Sequence, residues 1–384
     1  MRNPQTGRSA GMMLVALAGT GLLAAPAAAN DPDRIAQLED RIAQLEARPS
    51  GGLNLPGNTT LTFYGYAKGD LAFDFDHQLG DTAFGIVGIN AGDPERSGST
   101  LHARQSRLGF TTVTQTGLGE VRTLVEGDFF GTGNAFRLRH AYGEFNGFLV
   151  GQTWNLFMPI ESYPGTLDFQ GPAGLPFARV NQLRYTYDGV EDFTIAASVE
   201  RDPAGYRNPI FTGAVSYDFD TAFVKLAALH RQVDQPGGGT TSGWGVNLSG
   251  NAQLWQGGGI NASYTEGEGI GSIMVFGGGA AGADIMGAAQ GYQAVRTRGI
   301  ALGVTQDITD TIGVGLVFGE RSNRANPNAA PTDTEKLRTV HATLTWKPVE
   351  KVTTGVELIY SDRRQYDGAK VDNTRLQFST QFSF

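Results

Sequence analysis

The last ten residues, RLQFSTQFSF (375–384), constrain the fold more than any other segment. Apolar side chains stand at Leu376, Phe378, Phe382 and Phe384, with Thr380 keeping the spacing, while Arg375, Gln377, Ser379, Gln381 and Ser383 take the alternate places. A period of two makes this a strand with one aromatic and one polar face. In a soluble sheet the aromatic face would meet a core. In a membrane barrel it meets lipid, and the polar face lines the lumen. Similar alternation recurs from Thr60 onward, first in LTFYGYAKGDLAF (61–73), then in 121–129, 193–199, 222–230, 244–252, 300–304, 312–318, 340–346 and 354–360. Short connections (115–119, 146–147, 188–192, 218–220, 306–310, 347–351) alternate with long ones (76–101, 155–181, 266–293, 321–335). That is the pattern of an up-and-down barrel with tight turns at one end and loops at the other. The expected fold is all-β, a transmembrane antiparallel up-and-down β-barrel of about 16 strands over 60–384, wide enough for an aqueous channel.

The N-terminus points to export. Arg2 and Arg8 precede a short apolar run (11–25), and Ala27-Ala-Ala29 before Asn30 offers a cleavage site, so 1–29 reads as a signal peptide. Without Arg2 and Arg8 the chain carries 28 basic against 38 acidic residues, which argues against a nucleic-acid partner. There is no cysteine, which removes thiol catalysis and thiolate metal sites and leaves a closed hydrogen-bonded barrel to supply the stability that disulfides often give exported proteins.

Between signal and barrel, the heptad DRIAQLE occurs twice in tandem (33–39 and 40–46). Ile35 and Ile42 fall at a, Leu38 and Leu45 at d, and Glu39, Glu46 and Arg41 flank them, which predicts a short α-helical coiled coil over 30–48. Two heptads are marginal alone and the bland alternative is an amphipathic helix that frays, but the perfect repeat favours association. A linker follows at 49–59.

Strand parity then sorts the barrel's side chains. Phe136, Leu138 and Tyr142 are expected on the outer face, turning Arg137 and Arg139 inward and placing His140 outward. By the same argument Leu108 and Phe110 turn Arg107 inward, Val121 and Val125 turn Arg122 inward, Leu183 and Tyr185 turn Arg184 inward, and Leu61 and Phe63 turn Lys68 inward. Glu120, Glu126 and Asp70 share these inner faces, and Lys225 is expected on the far wall. The loop 155–181 carries Leu156, Phe157, Met158, Leu167, Phe169, Leu175 and Phe177, which need burial that folding into the pore would provide. Glu161 and Asp168 would then face the arginines across a constriction with Arg179 at its exit, giving a transverse field. The alternative is a cap over the barrel mouth. Asp74 and Asp76 hint at a calcium site, against the plainer reading of solvated loop acids; no metal or other cofactor is otherwise indicated, since the five histidines show no paired ligand spacing.

The stretches RQSRLGF (104–110), RLRHAYG (137–143), GQTWNLFM (151–158), TLDFQGPAG (166–174) and QLRYT (182–186) resemble the DcaP-like porins, a group that also has a coiled coil ahead of the barrel. The resemblance is dense over about a quarter of the chain. It implies a homotrimeric sixteen-stranded channel of the Gram-negative outer membrane, surrounded by lipid, with its N-terminal helix in the periplasm and small anionic solutes such as dicarboxylates as cargo. The closing strand resembles the C-terminal signature of outer-membrane barrels, which implies that the barrel-assembly machinery reads Phe382 and Phe384. Two other classes stay open. A barrel enzyme of lipase or protease type would need a serine–histidine pair at the rim, for which His140 is the one candidate placed outward on a strand. A structural tether would use the helix to join the outer membrane to the cell wall.

Overall fold

The computed structural model describes residues 52–276, 282–288, 291–324 and 327–384. The expected signal peptide and the coiled-coil seam of Ile35, Leu38, Ile42 and Leu45 lie outside the described residues. Among those described, strands form in chain order as β1 (Leu53–Leu55), β2 (Thr59–Asp74), β3 (Gly98–His102), β4 (Arg107–Thr116), β5 (Gly119–Asp128), β6 (Arg137–Phe145) and β7 (Phe148–Trp154). After the long loop come β8 (Arg179–Val190), β9 (Phe193–Glu200), β10 (Ile210–Phe219), β11 (Ala222–Asp234), β12 (Thr240–Trp255) and β13 (Gly258–Glu268). A small hairpin, β14 (Ile285–Ala288) with β15 (Gly291–Ala294), precedes β16 (Arg296–Asp307), β17 (Ile312–Asn323), β18 (Thr334–Val349), β19 (Val352–Gln365) and β20 (Lys370–Ser383).

Each strand pairs antiparallel with its neighbours, and β20 returns to β2 with a register running from Tyr66↔Ser383 to Asp74↔Arg375. The strands β3 and β4 share one place beside β2. The short β1 pairs with the start of β2, inside the stretch expected to be linker. Sixteen staves therefore close the barrel, in agreement with the tally from alternation. No helix among the described residues is long and apolar enough to cross a membrane; the crossing is made by strands, whose backbone groups are satisfied by one another.

The side-chain pattern is turned inside out relative to a soluble sheet. On β12, Trp244, Val246 and Leu248 are exposed, while the alternate Asn247 and Ser249 are buried. On β20, Phe378 and Phe382 face out, while Arg375, Gln377 and Ser379 are buried inside. At the short-turn end the tight connections need left-handed backbone: Asn146 (φ 48) and Gly147 (φ 81) form a two-residue hairpin turn that few other residue pairs could hold. Exposed aromatic rings gather near these turns, among them Phe145, Phe148, Tyr217, Phe219, Trp255 and Trp346, at the level where a bilayer interface favours them.

Phe384 finishes the closure. Its backbone N–H donates to the Gly65 carbonyl at 3.1 Å, and its ring lies over Gly65, where a Cβ would come within 2.7 Å of Phe384 Cζ. Deleting Phe384 removes the last bond of the closing ladder together with an outward ring. The expected outcome is exported protein that accumulates unfolded, read as loss of the heat-modifiable band on unboiled gels; a normal band from the truncated protein would show that closure does not need it.

Candidate functional site

The loop 155–181 folds into the lumen and is not a cap. Its neck is closed by the Asn155 N–H donating to the Ala178 carbonyl at 3.0 Å, and Phe157, Met158, Ala173 and Leu175 are almost fully buried. The far wall accepts it because the wall is small there. Gly299 and Gly303 on β16 and Gly319 on β17 face inward; a Cβ on Gly299 would lie 2.0 Å from the Gly174 carbonyl oxygen, and one on Gly319 2.3 Å from that of Ala173. Glu357 on β19 receives the Leu167 N–H at 2.8 Å and the Asp168 N–H at 3.1 Å, and is itself beside His341 at 3.2 Å. Two further loops join inside. The 3₁₀ turn Ala83–Gly88 contributes Ala83 and Ile86 to the same apolar cluster as Leu175, and Phe276 joins from the segment after β13.

Of the two loop acids expected to face the arginines, Asp168 reaches the lining of the cavity that Arg107 and Arg139 also line, and each acid has its own partner on the barrel wall. Glu161 turns to Lys225 on β11 at 3.4 Å, where Lys225 also donates to the Met158 carbonyl at 3.1 Å. Asp168 accepts the Ala83 N–H at 2.9 Å and lies 3.6 Å from Arg375. Burial raises its carboxyl above the usual carboxylate range, against the lowering effect of Arg375. Asp74 and Asp76 are not solvated loop acids: Asp74 makes a two-pronged pair with Arg375 at 2.8 Å on each arm, and Asp76 accepts the Thr374 N–H at 3.0 Å. Lys68 is likewise buried, donating to Gln105 at 2.6 Å and to the Leu167 carbonyl at 2.7 Å, so it anchors the loop instead of lining open space.

The structure brings Arg107, Arg137, Arg139 and Arg179 together on the wall formed by β4 to β8. Arg139 lies between Glu126 (2.6 Å) and Asp128 (3.0 Å), and Arg137 reaches Asp128 at 2.7 Å. Arg107 is 3.9 Å from Glu126. Among the described residues Arg179 pairs with no carboxylate and its Nη1 makes no hydrogen bond; its guanidinium lies 4.7 Å from the Trp154 ring and 6.0 Å from that of Phe177. Aromatic faces hold the others too: Arg107 over Tyr66, Arg137 over Phe130, and Arg139 over Trp154 and Phe169. Phe130 and Phe169 stack on each other at 4.4 Å, joining the loop after β5 to the inserted loop. Among the described residues these four guanidinium groups share Glu126 and Asp128, and the inserted loop brings Asp168 to the same place. Beside them is a cavity of about 490 Å³ lined by Arg107, Arg139, Glu126, Asp168, Trp154 and Phe169 among others. Arg184 stands below, donating to Gln182 at 2.9 Å and to the Trp154 carbonyl at 2.6 Å. Arg122 is apart, near the turn after β4, paired with Glu120 at 3.0 Å.

Strict alternation misplaced two residues here. The pairing of β5 with β6 slips between Glu126↔His140 and Gly127↔Leu138, so Arg139 is an extra residue in a bulge. Leu138 faces out, but Arg139 and His140 both turn inward, and Tyr142 follows them into the cavity lining. His140 is buried against Thr153 at 2.9 Å and is not at a lipid-facing rim. The aromatic partners Trp154, Phe130 and Phe169 lie within or beside the motifs already singled out, but nothing in their spacing shows which ring meets which arginine.

A closed barrel, apolar outside, charged inside and narrowed by an inserted loop, is the construction of an outer-membrane porin. The chain belongs to the DcaP outer membrane protein family, whose model matches residues 55–384. The outer membrane channel DcaP of Acinetobacter baumannii superposes with a TM-score of 0.78 at 21% identity, covering 87% of this chain and 100% of that one. An anion-selective porin from Comamonas acidovorans does so at 0.61 and 14%, covering 85% and 100%. The trimer form of OmpT from Vibrio cholerae does so at 0.57 and 13%, covering 85% and 99%. At these identities the likeness is one of fold. No curated protein sequence matches the chain. The protein is an outer-membrane channel of porin type.

Gly299→Val tests the loop's seat. The added side chain collides with backbone, which cannot swing away, so the loop should detach from the far wall. Overpacking of this kind costs about 1–3 kcal/mol. The expected result is a folded barrel with larger single-channel conductance; unchanged conductance would show that the loop does not set the narrowest passage.

Proposed function

We propose that this porin favours small anions, dicarboxylates among them, and that the cluster of Arg107, Arg137, Arg139 and Arg179 is where they are held during passage. The observation that carries this reading is the gathering of four guanidinium groups around Glu126 and Asp128, with Arg179 paired to no carboxylate among the described residues. Fixed positive charge on a confined wall raises the local anion concentration. Guanidinium forks match carboxylates in two-point geometry, and the aromatic faces beneath them hold the forks in place. Each contact in a wet lumen is worth about 1 kcal/mol or less, so a solute is retained by the set and can still leave. Arg184 and Arg122 continue the positive wall towards the short-turn end. Lys68, Glu161 and Asp168 act in this reading as supports of the constriction loop.

Replacing Arg107 and Arg179 together by glutamine spares the Arg139–Glu126–Asp128 lock. Reversal potential in a salt gradient should move towards cations, and current blockade by succinate should weaken about tenfold, the equivalent of roughly 1.4 kcal/mol. A wild-type channel that already prefers cations, or a variant with unchanged selectivity, rejects the arginine reading.

We also infer a homotrimer exported through a signal peptide over 1–29, with a periplasmic coiled coil over 30–48 and with Phe382 and Phe384 as the signal read by the barrel-assembly machinery. The tandem heptad supports the coil, and the trimer form of the Vibrio cholerae OmpT supports the stoichiometry. Leu38→Asp with Leu45→Asp places charge at the d seam. Native gels should then show trimers that dissociate at lower temperature but still form. Complete loss of trimer would make the helix the principal assembler.

A further inference from the structure

The tip of the constriction loop sits among more negative than positive charge. Asp70 and Asp74 on β2, Glu357 on β19 and the loop's own Asp168 are buried there, together with Lys68 and Arg375 as fixed cations. Lys68 pairs with Asp70 at 3.1 Å. Arg375 is shared: its Nε and Nη2 go to Asp74, while Nη1, 3.6 Å from Asp168, makes no hydrogen bond. Glu357 has His341 at 3.2 Å and, among the described residues, no lysine or arginine in contact.

Glu357 has no room for a proton. It accepts the N–H groups of Leu167 and Asp168, the Thr343 hydroxyl at 2.6 Å and His341 Nδ1, which fills the acceptor sites of an ionised carboxylate and fixes the imidazole proton on Nδ1. Asp168 does have room, since Oδ2 takes only the Ala83 N–H at 2.9 Å and Oδ1 only the Gln170 N–H at 2.8 Å. Facing it are Arg375 from β20, His341 from β18, Glu357 from β19 and Tyr163 from the loop itself. Asp74 stands behind Arg375, and Lys68 reaches the neighbouring Leu167 carbonyl. Arg107 and Arg139 line the same cavity but are engaged with Glu126. That cavity gives lumen water access to Asp168.

We propose that the constriction is a proton-stabilised latch: Asp168 takes a proton from lumen water when the loop is seated and releases it when the loop lifts, so mild acid holds the pore narrow. A lifted loop returns Asp168 to water and to ordinary carboxylate behaviour. A seated loop buries it beside Glu357 with a part share in one guanidinium, and burial raises the carboxyl. The seated state therefore binds the proton more tightly. By linkage, the resulting stabilisation of the seat is fully present below the ordinary carboxylate range and is lost as pH rises through the raised value. One proton can change the ratio of seated to lifted loops by at most about tenfold per pH unit.

Single-channel recordings in symmetrical potassium chloride, from about pH 8 to about pH 4, test this across the range where a raised carboxyl titrates. Wild type should pass from a wider to a narrower conductance level as pH falls, the ratio of dwell times changing by up to about tenfold per pH unit. D168N, neutral at every pH, should keep the narrow level throughout and show a wild-type heat-modifiable band. A wild-type channel with one conductance level across the scan overturns the proposal, and that result stands even if D168N does not fold. A D168N channel that still switches also overturns it, as does loss of switching in H341N with switching kept in D168N, which would move the proton to the histidine. Equal salt on both sides separates this readout from anion preference, so failure of one leaves the other standing.

Discussion

Closure of the hydrogen-bonded ladder is the constraint on which everything else in this structure depends. In hydrocarbon a backbone N–H or C=O left unpaired costs several kcal/mol, of the order of 4–8 by transfer to an apolar solvent. The pairing of β20 with β2 removes the two edges that would otherwise present such groups. Once closed, the barrel has an inside that lipid cannot reach, and alternation sends every second residue there. The interior is consequently the polar phase of the molecule, and apolar loop residues entering it must find one another. Leu175, Ala83, Ile86 and Phe276 do so, coming from three separate loops.

What holds those loops in place is a set of buried ion pairs and charge-assisted hydrogen bonds. Arg375 with Asp74, Arg231 with Asp202, and Glu357 with the two N–H groups of Leu167 and Asp168 are all nearly or wholly buried. Such pairs add little net stability compared with well-packed apolar residues, but breaking one leaves an uncompensated charge at a cost of about 3–5 kcal/mol. Their effect here is to permit one placement of the inserted loop and penalise others. Charge on the far wall is used up in this way. On β4 to β8 it is not, because guanidinium groups outnumber carboxylates and rest on aromatic rings instead.

The fold was legible because alternation repeats over many strands, and a misread boundary in one does not alter the class. Individual inner-wall residues were legible wherever the alternation was unbroken, as at Leu108 and Phe110 around Arg107 or Leu183 and Tyr185 around Arg184. At Arg139 the bulge adds one residue, and a single insertion reverses the facing of all that follow, so His140 and Tyr142 came out on the wrong side. The partners of the loop acids were not legible for a different reason. Glu161 and Asp168 were visible as charges, but their partners, Lys225 and Arg375, lie 64 and 207 positions away in sequence, and no local pattern links them.

The sequence by itself determined the class of molecule. Alternation with a period of two, short and long connections in turn, and a closing aromatic strand leave few folds other than a lipid-facing barrel, since each is a local property that any pairing of the strands must respect. The tertiary structure decided how the lumen is furnished: which arginines keep their charge free, which are spent on loops, and where glycines clear the wall for the Gly174 carbonyl. Those outcomes depend on register across strands and on loops that meet far from their own anchors. Both are set by closing the barrel, and neither is written in any single segment of it.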